Sequence, residues 1–210
     1  MELLILLPLL IFSVIFHEVS HGIVAHHYGD DTAYVSGRIT LNPIPHLDPI
    51  GSVIFPALCI FMHMPVFGWA RPVPINPNLF SNYRSGVIMV SLAGPLTNFL
   101  IAIVSVIVLY VTVSQPLLVQ SVPFLPKVLT QTILLNLVLT IFNLFPIPPL
   151  DGSRILSVLL PTELAVKYDA LEPYGFFIMM GLIMFGILSR ILYPIVGLLY
   201  HFMLAAIGIT

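Results

Sequence analysis

The sequence predicts an all-α polytopic membrane protein: about five to six transmembrane helices, helices broken at proline clusters, and one small membrane-associated β element. Three observations predict it. Hydrophobic residues make up 59% of the 210 positions and charged ones 8%, against about 25% charged in a soluble domain. Mean hydropathy is +1.08. Apolar runs close to the roughly 20 residues a bilayer requires recur along the chain. The polar stretches between them are too short for a core of their own, so residues 1–210 read as a single integral-membrane domain embedded in a lipid bilayer. A net charge of −2 offers nothing to nucleic acid. The single cysteine, Cys59, excludes an intramolecular disulfide and a cysteine metal site, and reads as a small apolar wall residue.

The first helix runs from about Glu2 to His27, with Gly29 a suitable left-handed stop. No basic flank or small-residue cleavage site precedes it, so it reads as a retained helix. Ala33 to Leu41 alternates: Val35, Gly37, Ile39 and Leu41 fall on one side, Tyr34, Ser36, Arg38 and Thr40 on the other. That is strand periodicity. Ile50 to Phe67 is apolar but carries Pro56, His63 and Pro65, and reads as either a crossing or a re-entrant element. Gly68 to Asn78 is a proline-rich polar loop. Gly86 to Ser114 is a long apolar helix in which Asn98 needs a hydrogen-bond partner. Val128 to Phe145 is the next span. Pro146, Pro148 and Pro149 then break the helix directly before Asp151 and Gly152. Pro161 to Glu172 is a polar connector. Tyr174 to Leu188 and Ile191 to Ile209 form a final hairpin.

The chemistry concentrates in His17-Glu18-Val19-Ser20-His21. Two imidazoles four residues apart lie on one helix face, about one turn from each other. That spacing lets both reach one tetrahedral Zn²⁺ at roughly 2.0–2.1 Å. Glu18 lies on an adjacent face, where a carboxylate can take a proton from water. Ionisable groups inside an apolar span mark a functional site by default. A catalytic zinc needs one more protein ligand, often a carboxylate. Asp151 alone among the outlying carboxylates follows a span at a broken-helix position; its other reading is an N-cap. His46 is a further possible ligand, whereas His26 and His27 read as interfacial residues.

These pieces resemble the site-2 protease family of intramembrane zinc metalloproteases. The resemblance rests on His17-Glu18-Val19-Ser20-His21, Ala93-Gly94-Pro95-Leu96-Thr97-Asn98, Asn143-Leu144-Phe145-Pro146 and Leu150-Asp151-Gly152, in family order. It implies one Zn²⁺ per chain held by His17, His21 and Asp151. It also implies Glu18 as general base and acid, and Asn143 near substrate or oxyanion. The chain departs from many members in lacking a PDZ or CBS module and a span ahead of the metal-binding helix. The implied substrate is a single-span membrane protein or peptide, opened locally to an extended form; the alternating segment Ala33 to Leu41 offers a strand edge for it. Ion or zinc transport and a non-catalytic zinc scaffold are the competing readings.

Topology follows from parity. A shared zinc requires the end of the first helix and Asp151 on one side, hence a re-entrant Ile50 to Phe67 and five full spans. That side holds Arg38, Arg71, Arg84, Arg154 and Lys167 against Lys127 and Arg190 on the other. Five against two favours the metal side as cytoplasmic; the expected location is the cell membrane.

Overall fold

The computed structural model describes residues 2–62 and 68–208. His63 and Pro65, and the end of the last apolar run at Ile209, lie outside the described residues. Ten α-helices follow in chain order among those described: α1 (Glu2–His27), α2 (Thr32–Val35), α3 (Phe55–Phe61), α4 (Tyr83–Val113), α5 (Pro116–Ser121), α6 (Leu125–Asn143), α7 (Asp151–Leu159), α8 (Thr162–Asp169), α9 (Gly175–Met184) and α10 (Ile187–Ala206). α1 stops where Gly29 turns left-handed, φ +99°, and the Asp30 N–H reaches back to the Ala25 carbonyl at 3.0 Å.

α4 is the central helix, packed against α1, α6 and α7. Ala102, Val106 and Leu109 of α4 meet Ile133 and Leu137 of α6 and Val196 of α10 in one buried cluster. Most of the remaining apolar surface faces outward: Leu100, Val104 and Ile107 on α4 are more than half exposed. Apolar faces turned outward on long helices are what a lipid solvent permits and water does not. α1, α4, α6 and α10 each contain a stretch long and apolar enough to cross a membrane.

Two expectations are corrected. No strand occurs among the described residues, and Ala33 to Leu41 is not one. Thr32–Val35 is helical, and Gly37 turns the chain at φ +63°. The donors a strand would present are spent locally, Val35 N–H on the Asp31 carbonyl and Arg38 N–H on that of Ala33. The fifth full span expected over Tyr174 to Leu188 is also absent. α9 has 10 residues, about 15 Å of helix, half a hydrocarbon core. Gly186, at φ +67°, separates it from α10.

The apolar run after Pro49 opens with a π-helical turn, Pro49–Ile54, and continues as α3. Its two ends meet: the Trp69 N–H donates to the Gly51 carbonyl at 3.1 Å and the Ser52 hydroxyl to the Trp69 carbonyl at 2.9 Å. The described ends of the segment are thus held side by side. From Trp69 the chain continues as an extended strap, residues 69–76, along the C-terminal half of α1. Gly22 makes the close approach possible, since a Cβ there would lie 3.2 Å from Ala33, Ile39 and Val73 side-chain carbons.

Candidate metal centre

α1 places His17 and His21 one turn apart, and both are buried. Their rings meet edge-on with centroids 4.7 Å apart. Asp151 arrives from the broken segment between α6 and α7. Leu150 is extended (ψ 157°), α7 begins at Asp151, and no side chain caps it. Gly152 is required there, because a Cβ would run into the Leu144 carbonyl. The side chain of Asp151 is therefore turned to the histidines instead of capping its own helix. Among the described residues, His17, His21 and Asp151 form the one cluster of such groups close enough to share a metal.

The donor atoms form a triangle. His17 Nε2 lies 3.1 Å from His21 Nε2, and Asp151 Oδ2 lies 3.2 Å from the first and 3.4 Å from the second. A tetrahedral ion with bonds of roughly 2.0–2.1 Å has donor–donor edges of about 3.3 Å. Proton positions point the same way. His21 Nδ1 lies 2.6 Å from the Val90 carbonyl, which only accepts, so that nitrogen carries the proton. His17 Nδ1 lies 2.6 Å from Asn98 Oδ1 and carries its proton likewise. Both Nε2 atoms then present bare lone pairs, and buried Asp151 Oδ2 has no hydrogen-bond donor. Three acceptors converging with no proton between them repel one another unless a cation sits among them. The residues fit a zinc ion.

Gly94 completes the cradle. A Cβ at that position would lie 2.5 Å from both Nε2 atoms, so only glycine lets α4 back the pair. Glu18 lies outside the triangle. Its Oε2 accepts the Val73 N–H of the strap at 2.8 Å. The three metal-facing residues, Glu18, Asn143 and Val73 line one cavity of about 250 Å³. Asn143 spends one N–H on the Leu139 carbonyl at 2.9 Å.

The other sequence candidates fall elsewhere. His46 is buried and its Nε2 lies 2.9 Å from the Thr40 carbonyl, bracing the loop. His26 pairs with Asp31 on the exposed end of α1. Sequence reasoning missed Gly94, the Val90 carbonyl and the Val73 N–H. It also missed Asn136, whose amide hydrogen-bonds Asn98. A signal for Asn136 existed: Thr132, Asn136, Thr140 and Asn143 fall at helical spacing on one face of an apolar span.

The protein-family model described as peptidase family M50 matches residues 119–186. The chain is 39% identical over 190 residues to a Bacillus subtilis protein named "Putative zinc metalloprotease YwhC", covering 90% of this chain and 84% of that one. It is 26% identical to Rip2 of Mycolicibacterium smegmatis, which bears the same description, over 91% of this chain and 71% of Rip2. Zinc metalloprotease MJ0392 of Methanocaldococcus jannaschii is 29% identical over 94% of this chain, which spans 48% of that protein's length. No solved structure matches.

Proposed function

This chain belongs to peptidase family M50, and from that membership and its converging acceptors we propose that it hydrolyses peptide bonds within or near the transmembrane segments of single-span membrane proteins or peptides. It is a zinc metalloprotease, with Zn²⁺ as its cofactor. The observation that carries the finer reading is the triangle of His17 Nε2, His21 Nε2 and Asp151 Oδ2, two of whose corners stand on a helix long and apolar enough to cross a bilayer. Those three residues would hold the zinc, which would there supply polarisation of a carbonyl and a water of pKa lowered toward about 7.

Glu18 is the general base and acid. It removes the proton from the attacking water and returns it to the leaving amine. The Val73 N–H holds one carboxylate oxygen at 2.8 Å, which keeps the other free for the proton. Asn143, on the wall of the same cavity, faces the substrate side and steadies the developing oxyanion. The cluster uses both Nδ1 protons for orientation and neither for chemistry, so proton transfer falls to Glu18. The single domain lies in the cell membrane with its metal side toward the cytoplasm. Because Leu188 and Leu192 of α10 pack beside Leu150, Arg190 joins the metal side, and six of the seven Lys and Arg support that orientation against Lys127.

The test is purification in detergent, zinc quantification and cleavage of a panel of single-span peptides, wild type against Glu18→Gln. The expected result is zinc retained and hydrolysis lost, by roughly 100-fold or more for removal of a general base. Substantial cleavage by Glu18→Gln overturns the assignment of Glu18. Peptides left intact by a zinc-loaded wild type overturn the substrate class.

A further inference from the structure

The two imidazoles reach their common orientation by different means. His21 is set directly by a backbone carbonyl, that of Val90. His17 faces a side-chain amide, Asn98, and an amide has two ends. Turned one way it accepts from His17 Nδ1–H. Turned the other way its NH2 would donate to Nδ1, move the imidazole proton to Nε2 and block the metal-facing lone pair.

We propose that Asn136 of α6 is a positioning residue that fixes the tautomer of His17 through Asn98. The chain of polarity starts at a backbone carbonyl. Asn136 Nδ2 donates to the Thr132 carbonyl at 2.9 Å, which can only accept. The same NH2 donates to Ser13 Oγ at 3.0 Å. The Asn136 amide is thereby held with its oxygen toward Asn98, where Oδ1 accepts from Asn98 Nδ2 at 2.8 Å. Without Asn136, only the longer contact to the Ser13 carbonyl at 3.4 Å holds the Asn98 NH2. Held so, Asn98 turns Oδ1 to His17 Nδ1 at 2.6 Å. Asn98 and Asn136 are fully buried, so water cannot substitute for a missing partner. Each step leaves one donor facing one acceptor, and the last leaves Nε2 unprotonated. Partners behind a metal-bound histidine set its tautomer in this way; here the relay runs through three helices.

The inference rests on His17 being a ligand, and the test separates the two. Selective ¹⁵N-histidine labelling of the zinc-free chain in detergent reads the tautomer, and chelator competition reads zinc affinity. The wild type should show His17 protonated on Nδ1. Asn136→Leu, matched in branching and heavy-atom count, should give a mixture of tautomers and lower zinc affinity by roughly 10–100-fold. Because Asn136 acts through Asn98, the double variant Asn98→Leu/Asn136→Leu should bind zinc no worse than Asn98→Leu. Wild-type affinity in Asn136→Leu, or losses that multiply in the double variant, overturn the relay. If Asn136→Leu does not fold, Ser13→Ala removes one acceptor of the Asn136 NH2. It should lower zinc affinity a few-fold, and unchanged affinity overturns the proposal. Zinc bound normally by His17→Ala defeats the ligand assignment and the relay together. Zinc lost there but kept in folded Asn136→Leu defeats the relay alone.

Discussion

The two sides of the cavity are built from different materials. On one side α1 and α7 supply side chains, His17, His21 and Asp151, and α4 orients the two histidines through Asn98 and the Val90 carbonyl. On the other side residues 69–76 supply backbone. The strap is held along its length by Arg71 N–H on the His46 carbonyl (2.8 Å), Arg38 on the carbonyls of Arg71 and Pro72 (2.7 and 3.1 Å), and Asn76 N–H on Asp30 (2.6 Å). Its one hydrogen bond to a residue of the catalytic motif is Val73 N–H to Glu18. The helical side therefore governs the metal, and the strap governs the base. Lesions on the first should cost zinc; lesions on the second should cost turnover with zinc in place.

Asp151→Ala should give the largest effect. It removes the one acidic ligand and leaves two lone pairs at 3.1 Å facing an empty corner. Bound zinc should fall sharply and hydrolysis with it, measured by metal analysis after gel filtration. Full occupancy in that variant would remove Asp151 from the site. Gly94→Ala comes next, from behind the pair. The added methyl displaces both imidazoles or the helix backing them, and zinc affinity should drop by at least roughly 10-fold. An unchanged affinity would mean that α4 shifts freely, against the close packing around it.

Val73→Pro tests the strap. Pro72 and Pro74 flank the position, so the extended backbone tolerates another proline, but the donor to Glu18 disappears. Turnover should fall roughly 10-fold, about the loss of one charge-assisted hydrogen bond, with zinc content unchanged. Loss of zinc together with turnover would break the division between the two sides.

The same division marks what could be read from the sequence. Spacing within one helix is local, so His17, Glu18 and His21 were legible from α1 alone, and Asp151 from the broken helix before it. Strap contacts were not, because a backbone N–H or carbonyl has no letter: nothing in Val73 or Val90 announces its partner. Gly94 was visible as a small residue but not as the floor under two imidazoles. Alternation over Ala33 to Leu41 misled. Period two means a strand only when a neighbour pairs with it, and here Val35 is 80% exposed while Arg38 is 8% exposed. Arg38 is the polar residue turned inward because it holds the strap.

The smallest expected effect lies farthest from the metal, at Asp30. Its carboxylate is fully buried just past α1. It accepts the Thr32 hydroxyl, the Thr32 N–H at 3.0 Å and the Asn76 N–H at 2.6 Å. Burial alone pushes its pKa up; these hydrogen bonds outweigh burial and hold it below the ordinary 3.8. A depressed carboxylate stabilises the fold fully above its unfolded pKa, about 3.9, and loses that contribution as pH falls through the folded value. Asp30→Asn keeps the shape but turns an NH2 toward a donor. It should destabilise the chain by about 2 kcal/mol at neutral pH. The gap from wild type should stay level from about pH 8 to about pH 5 and close below about pH 4. Thermal unfolding of the zinc-free chain reads this without interference from acid release of the metal. Zinc affinity at neutral pH should be unchanged, and turnover should fall less than in Val73→Pro, since Asn76 anchors the strap three residues from the base. A gap that persists undiminished under acid would mean that the Asp30 charge does not tether the strap. The strap would then owe its position to Arg38 and the His46 carbonyl alone.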